Sequence, residues 1–329
     1  MRRVSTLAAL VALIGVMAVP KVHGQLPPPA PAGPPAGPGV WAEKDRSEPR
    51  SEPASAFANG KLYVLGGLAR GEDASTLNQE WDPKTDTWRD RAPMPAPLSH
   101  PNAVVMNGKI YIVGGFLRQV HVGAQDAFFE YDPVADSWRR LAPLPSPRGS
   151  VAVVAVNGRI HAIGGRNPEL VTIANHDVYD PTTNRWTAAA PLPQPRDHLS
   201  FGAIGGKIHV IGGRTNTRND SVNRHDIYDV ATNSWTTGPP MPITRSGGAS
   251  VAYKGMILAF GGECAAAERA WPAVEGYDPG TGKWLTFANM PMGKHAMSAA
   301  TDGDTVYITG GSPICGLAYT DTLMTFRLP

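Results

Sequence analysis

Pairs of short apolar runs recur along the chain, and each pair flanks a turn dipeptide. The dipeptides are Asn59-Gly60, Asn107-Gly108, Asn157-Gly158, Gly205-Gly206, Lys254-Gly255 and Asp302-Gly303. Asn-Gly and its relatives accept the positive φ of a type I′ hairpin, so each pair predicts two antiparallel strands, a and b, joined by a tight turn. The stretch from Tyr131 to Gly165 shows the whole unit. An aromatic at Tyr131 ends strand c, Asp132-Pro133-Val134-Ala135-Asp136 turns the chain, and Trp138 sits on strand d. The run Pro143-Leu144-Pro145-Ser146-Pro147-Arg148 then leads to a strand over Val151–Val156, a turn at Asn157-Gly158, and a second strand that ends in Gly164-Gly165.

The unit repeats. Gly-Gly pairs begin at Gly66, Gly114, Gly164, Gly212, Gly261 and Gly310, at intervals of 48, 50, 48, 49 and 49 residues. Strand c ends on Trp81, Tyr131, Tyr179, Tyr228, Tyr277 or Phe326, and in the five complete copies a Trp follows seven residues later. Large rings at fixed places on each sheet are what stacked sheets bury against one another. In-phase Gly-Gly, Trp and Asn-Gly at a period near 50 residues resemble the kelch-repeat family, whose unit forms one propeller blade. The resemblance covers about Trp41 to Pro329. It implies an all-β fold, a six-bladed kelch β-propeller with four antiparallel strands per blade. The sixth unit stops at Pro329, before any strand d, whereas Trp41 lies 47 residues before Trp88, one period upstream. The N-terminal strand around Trp41 is therefore expected to complete the last blade and close the ring, leaving no unpaired sheet edge.

Composition places this propeller at 40–329. A count of 36 Gly and 32 Pro in 329 residues suits one closed, turn-rich assembly. Residues 1–24 read as a signal peptide: Arg2-Arg3, an apolar run from Val4 to Val19, and Val22-His23-Gly24 before a cleavage point at Gln25. Left uncleaved, the same run would act as a membrane anchor. Residues 25–39, QLPPPAPAGPPAGPG, read as a Pro/Gly/Ala-rich linker that cannot bury enough apolar area to fold. The expected location is secreted or periplasmic, without membrane contact after cleavage. Loss of Arg2, Arg3 and Lys21 leaves 27 basic residues (30 − 3) against 28 acidic, about −1, so no nucleic-acid partner is expected. The two cysteines, Cys264 and Cys315, follow their Gly-Gly pairs in equivalent loops of neighbouring units, and an exported chain with that placement predicts a disulfide. Nothing in the sequence demands an oligomer, and a monomer is expected.

Antiparallel alternation puts the d–a and b–c loops on one face and the short a–b and c–d turns on the other. Variable loops on a rigid scaffold are where binding residues concentrate. Sixteen residues before each Gly-Gly pair stand Arg50, Leu98, Arg148, Arg196, Arg245 and Lys294, five cations in six copies. His100 and His198 follow two residues later, and His295 sits beside Lys294. The b–c loops add Arg70, Arg118, Arg166, Arg214, Arg218 and Arg269. Two readings stand side by side for the strand-a cations. They either form a ligand-facing ring that focuses field on an anion, or pair structurally with carbonyls and acids of the adjacent blade. Kelch propellers that bind acidic peptides use basic residues of these loops, and the resemblance carries that role to Arg148, Arg166, Arg196, Arg214 and Arg245. Lys294, His198 and the off-register Trp271 complete the candidate ligand-binding set. Leu98 with Phe116-Leu117 makes the blade 2 side of the rim more apolar. His161 and His209 take the place of strand-b tyrosines and read as packed sheet residues, and His176-Asp177 and His225-Asp226 as a local repeat.

Three functions fit this layout. The first is a binding module whose basic face holds an acidic peptide, glycan or protein partner. The second is an enzyme resembling the exported kelch propellers that act as sialic acid mutarotases, with His198 or Glu268 as acid/base and Arg148, Arg196 and Arg245 as clamps. The third, galactose-oxidase-like copper chemistry, implies seven blades and a Tyr–Cys cross-link, which six units and paired cysteines do not match. No nucleophile motif, P-loop, dinucleotide fingerprint or zinc spacing is present, so no cofactor or metal is expected and catalytic residues stay unassigned.

Overall fold

The computed structural model describes residues 37–69, 73–118, 121–263 and 269–329. The signal-peptide region, most of the linker, Arg70, Cys264 and Glu268, and with them the expected leader, disulfide and Glu268 role, lie outside the described residues.

The strands form six four-stranded antiparallel sheets. Blade 1 is Ala54–Ala58, Lys61–Leu65, Asn78–Asp82 and Thr87–Asp90. Blade 2 is Asn102–Met106, Lys109–Val113, Phe128–Asp132 and Ser137–Arg140. Blade 3 is Ala152–Val156, Arg159–Ile163, His176–Asp180 and Arg185–Ala188; blade 4 is Ser200–Ile204, Lys207–Ile211, His225–Asp229 and Ser234–Thr237. Blade 5 is Ala249–Tyr253, Met256–Phe260, Val274–Asp278 and Lys283–Thr286. Blade 6 takes His295–Thr301, Val306–Ser312 and Leu323–Arg327 from the C-terminus, and Val40–Lys44 as its strand d.

The ring therefore closes with both ends of the chain in one sheet. Trp41 stands opposite Phe326, with ring centroids 5.0 Å apart. Its indole N–H donates to the Ala288 carbonyl at 3.0 Å. That bond is one of six alike: Trp88, Trp138, Trp186, Trp235 and Trp284 donate to Asp45, Ala92, Ala142, Ala190 and Pro239. Each acceptor lies four residues after the Trp of the preceding blade, so the indoles stitch neighbouring blades around the whole circle. The N-terminal segment engages slightly earlier than the linker boundary at 39, since the Pro38 carbonyl accepts from the Ala288 amide at 3.1 Å.

Local chemistry accounts for the turns. Five of the six a–b dipeptides hold both residues at positive φ, as a type I′ hairpin requires. Blade 6 differs: its turn spans 302–305, and the Asp302 carboxylate accepts from the amides of Asp304 and Thr305. The Gly-Gly pairs seat one blade on the next. A Cβ on Gly164 would lie 2.6 Å from the Arg196 carbonyl oxygen, and the Gly165 amide donates to that same oxygen at 3.0 Å. The equivalent contact recurs at all six pairs, so a side chain there would push blades apart.

Apolar faces of adjacent blades pack in shared clusters. Leu65, Ala56 and Tyr63 of blade 1 meet Ile110, Ile112 and Tyr131 of blade 2. Burying each such aliphatic side chain stabilises the fold by about 1.5–3 kcal/mol. The six inner strands carry mostly small residues, among them Ser55, Ala103, Ser250 and Ala299, and enclose a central channel of about 350 Å³. No helix among the described residues is long and apolar enough to cross a membrane.

Candidate functional site

The strand-a cations point away from the channel. Arg148, Arg196 and Lys294 have no exposed surface, and Arg50 and Arg245 are also buried. Each is tied within its own blade rather than to the adjacent one. Arg148 reaches Asp177 at 2.7 Å and the Ala162 carbonyl at 3.2 Å. Arg196 bonds Asp226 and the Gly212 carbonyl, Arg245 forms an ion pair with Glu275 at 2.9 Å and donates to the Ala273 and Ala259 carbonyls, and Arg50 bonds Gln79. Lys294 donates to the Gly310 carbonyl at 2.9 Å and to Thr322 at 2.8 Å. The partner is the second residue of strand c in blades 1, 3, 4 and 5. In blade 2 both members change together: Leu98 and Phe129 occupy the cation and partner positions and share one apolar cluster. The expected ring of ligand-facing strand-a cations is thereby corrected. These side chains are too deeply buried to meet a ligand, and their work is to hold strand a, strand c and the Gly-Gly turn together. Leu98 and Phe116 are buried too, and of the blade 2 apolar group only Leu117 reaches the rim.

What does reach the mouth sits two residues further on. Glu52, His100, Ser150, His198, Gly247 and Ala296 all take left-handed backbone, with φ between 52° and 65°. None is β-branched, in keeping with the steric cost of that region. The His100 amide donates to Glu52, Ser150 to His100, Gly247 to His198, Ala296 to Gly247 and Glu52 to Ala296, at 2.6–3.2 Å. This belt of main-chain bonds between successive blades delivers the side chains of Glu52, His100 and His198 to the channel entrance.

There they meet two arginines of the b–c loops. Asp197, with no exposed surface, accepts from His198 Nδ1 at 2.8 Å, Arg214 Nε at 2.9 Å and Arg166 Nε at 2.5 Å. Arg214 also grips both oxygens of Glu263 at 2.8 and 2.9 Å, and its Nη2 lies 3.1 Å from His198 Nε2 and 3.2 Å from His121 Nε2. Ser246 donates to Glu263 at 2.5 Å. His100 Nε2 lies 3.2 Å from Glu52. Burial opposes ionisation of Asp197, but His198, Arg214 and Arg166 hold it well below the usual carboxylate range. Burial, then the nearby guanidinium, pushes His198 below its ordinary value, against the pull of Asp197. Burial, then the neighbouring His100, His198 and Arg214, pushes His121 far down as well.

Of the sequence-derived set, then, the fold brings Arg166, Arg214 and His198 together and moves Arg148, Arg196, Arg245 and Lys294 into the blades. Trp271 lies in the b–c loop of blade 5, 38% exposed. Three carboxylates, Glu52, Asp197 and Glu263, face the two arginines, so the centre of the mouth is not a surplus of positive charge. Glu52 and Asp197 could have been found from the repeat register alone. His121 could not, because it has no repeat position.

His161 and His209 are packed sheet residues, each facing a histidine of its own blade. Nδ1 of His161 lies 2.9 Å from Nε2 of His176, and Nδ1 of His209 lies 2.9 Å from Nε2 of His225. Burial is the main cause that lowers His161 to about 3 and the other three to about 4. The unfolded chain takes up a proton at each near pH 6.5 that the folded chain refuses, so stability is full above pH 6.5 and is lost as pH falls towards 4. The urea midpoint is expected to drop between pH 7 and pH 5, and a flat profile over that window would contradict the burial of neutral imidazole pairs.

The comparisons with known proteins agree with this architecture. The model of the KLHDC2/KLHL20/DRC7 Kelch-repeats domain matches residues 143–311, and that of the Kelch motif matches 49–95 and 97–145. No curated protein sequence matches the chain. Among solved structures it is similar to one titled "Structure of YjhT", with a TM-score of 0.72 and 17% identity, covering 86% of this chain and 99% of that one. At that identity the likeness speaks to the fold alone. A family model spanning more than half the chain, over six blades joined by one repeated set of bonds, shows that the protein belongs to the kelch-repeat β-propeller family.

Proposed function

We propose that this propeller is a partner-binding module that works through its b–c loop face. One observation carries the reading. Among the described residues, seven of the ten exposed large apolar side chains lie in b–c loops: Leu117, Val122, Leu170, Val171, Trp271, Ile314 and Leu317. They come from the b–c loops of blades 2, 3, 5 and 6, on the face that carries the channel mouth. Apolar groups grouped on one face mark an interaction surface more than scattered ones do. The partner is read as a protein or peptide, since aliphatic side chains and an indole suit polypeptide contact. An acidic group on it is favoured by the exposed Arg118 and Arg218 of the same loops, because the mouth arginines are already neutralised. Aspartate at Leu170 and Val171 together is expected to weaken binding to a peptide array at least tenfold. Aspartate at Val134, 84% exposed on the opposite face, is expected to change nothing. Binding that ignored the first variant or fell with the second would remove this face from the function.

A second reading keeps the enzyme alternative resembling the sialic acid mutarotases. It is favoured by the Asp197–His198 pair at the channel entrance, in which Asp197 holds Nδ1 and so orients a ring whose Nε2 lies beside Arg214. Turnover of an anionic sugar that is abolished in His198→Gln while binding persists would support this reading over the first.

A further inference from the structure

Among the described residues that line the central channel, Glu52 is the only one with a carboxylate, guanidinium or ammonium group. Its Oε1 lies 3.2 Å from His100 Nε2, and 18% of its side chain is exposed, so a ligand can reach it. Burial opposes its ionisation, but His100 of blade 2, then His198 of blade 4 and His295 of blade 6, hold it down at about 2. Groups from alternate blades thus act on it from three sides, which puts the charge near the ring axis. No Lys or Arg pairs with it among the described residues; Arg166 and Arg214 are held instead by Asp197 and Glu263. Its neighbour in the belt on the blade 6 side is Ala296, which offers only a methyl.

Most other polar groups along the channel are already bonded. Ser55 bonds Ser298 and Thr309, Ser250 bonds both main-chain groups of Phe201, and Asn102 donates to the Val151 carbonyl. Ser150 is the exception. It lines the same cavity, is 6% exposed, and its hydroxyl has no partner among the described residues. A buried hydroxyl left unbonded costs free energy, so a group that bonds it is expected beside it. Val104, Val153 and Val251 line the cavity with apolar surface.

These acceptors select among cations. A guanidinium fork wants both carboxylate oxygens, and Oε1 is engaged by His100. Calcium and zinc need several ligand atoms, more than one carboxylate oxygen and one hydroxyl supply. An ammonium is a compact point charge that a single oxygen can hold, and an alkyl stem suits the valine walls. A cavity of about 350 Å³ lies at the small end of the range that takes ligands.

We propose that the channel holds a primary ammonium group on an aliphatic chain, with Glu52 as its counter-charge and Ser150 as a second acceptor. The group belongs either to a free alkylamine or to a lysine side chain of a bound polypeptide. The proposal goes beyond the partner-binding reading. Amine binding is measured with no partner present, so either can fail without the other.

The test is isothermal titration calorimetry of the full chain with n-butylamine at pH 8, with n-butanol as the uncharged control of the same length. Saturable binding of one n-butylamine per chain is expected, with n-butanol about tenfold weaker or worse. Glu52→Gln should weaken n-butylamine about tenfold or more, as loss of a charge-assisted bond does. Ser150→Ala should weaken it by a smaller factor, and serves if the Glu52 variant does not fold. Asp304→Asn, exposed in the a–b turn of blade 6, should bind as the parent does. A peptide with one lysine that binds more tightly than n-butylamine would uphold the site and make its occupant a polypeptide side chain. A peptide that binds more weakly would uphold it as a site for a free amine. No saturable binding of n-butylamine, equal binding of n-butanol, or binding unchanged in a folded Glu52→Gln chain would overturn the site.

Discussion

Arg148→Leu is expected to cost about 3–5 kcal/mol of folding stability, the loss measured when one partner of a buried ion pair is removed. The cost arises because Asp177, buried in strand c of blade 3, keeps its charge but loses its cation. Blade 2 shows how the fold solves the same position without charge, with Leu98 and Phe129 packed in one cluster. The double variant Arg148→Leu/Asp177→Phe transplants that solution. It should recover most of the loss, since a buried pair and a well-packed apolar substitute of similar volume are often close in free energy. The cross-strand neighbours of Asp177 are Ala162 and Ala188, which leave more room than Ile112 and Arg140 leave Phe129. Urea denaturation of the parent, both single variants and the double variant completes the cycle. If Arg148→Leu alone changes stability by less than about 1 kcal/mol, the strand-a cations are not the structural ties described above.

Deletion of residues 40–48 is expected to have the larger effect, abolishing cooperative unfolding of the native ring. It removes the strand Val40–Lys44 and with it every main-chain bond to Leu323–Arg327, the contact of Trp41 with Phe260 and Phe326, and one of six indole stitches. Leu323–Arg327 would become an open sheet edge, and blades 5 and 6 would lose the ring that packs between them. Deletion of 25–36 touches none of these bonds and serves as the control. A melting temperature equally unchanged in both deletions would contradict closure by the N-terminal strand. A narrower version, Trp41→Ala, should lose about 3–5 kcal/mol, the usual cost of truncating a large packed ring.

The strands, the six-fold repeat and the closure were legible in the sequence because each rests on local chemistry repeated in phase. Asn-Gly sets a hairpin wherever it stands, Gly-Gly permits close approach wherever a neighbour must come near, and an orphan Trp at one period upstream has only one empty place to fill. The mouth was half legible. His198, Arg166 and Arg214 could be placed on the right face by counting strands, but counting strands does not say which way a side chain turns. Arg148 and Arg166 are both arginines near that face, yet one folds back along its blade to Asp177 and the other reaches across to Asp197. That choice depends on where the acids are. They lie about 30 residues away in sequence and meet the arginines only after the sheets are built.

By itself, then, the sequence determined the all-β repeat, the number of blades and the strand that closes them, since these follow from backbone preferences and a period. Only the tertiary structure decided that the strand-a cations are buried ties, that the mouth is neutralised by Asp197, Glu263 and Glu52, and that His121 joins His100 and His198. Those three histidines stand 21 and 77 residues apart in the chain with no common spacing. They meet because the ring brings the openings of blades 2 and 4 to one axis, and convergence on an axis leaves no trace in local sequence.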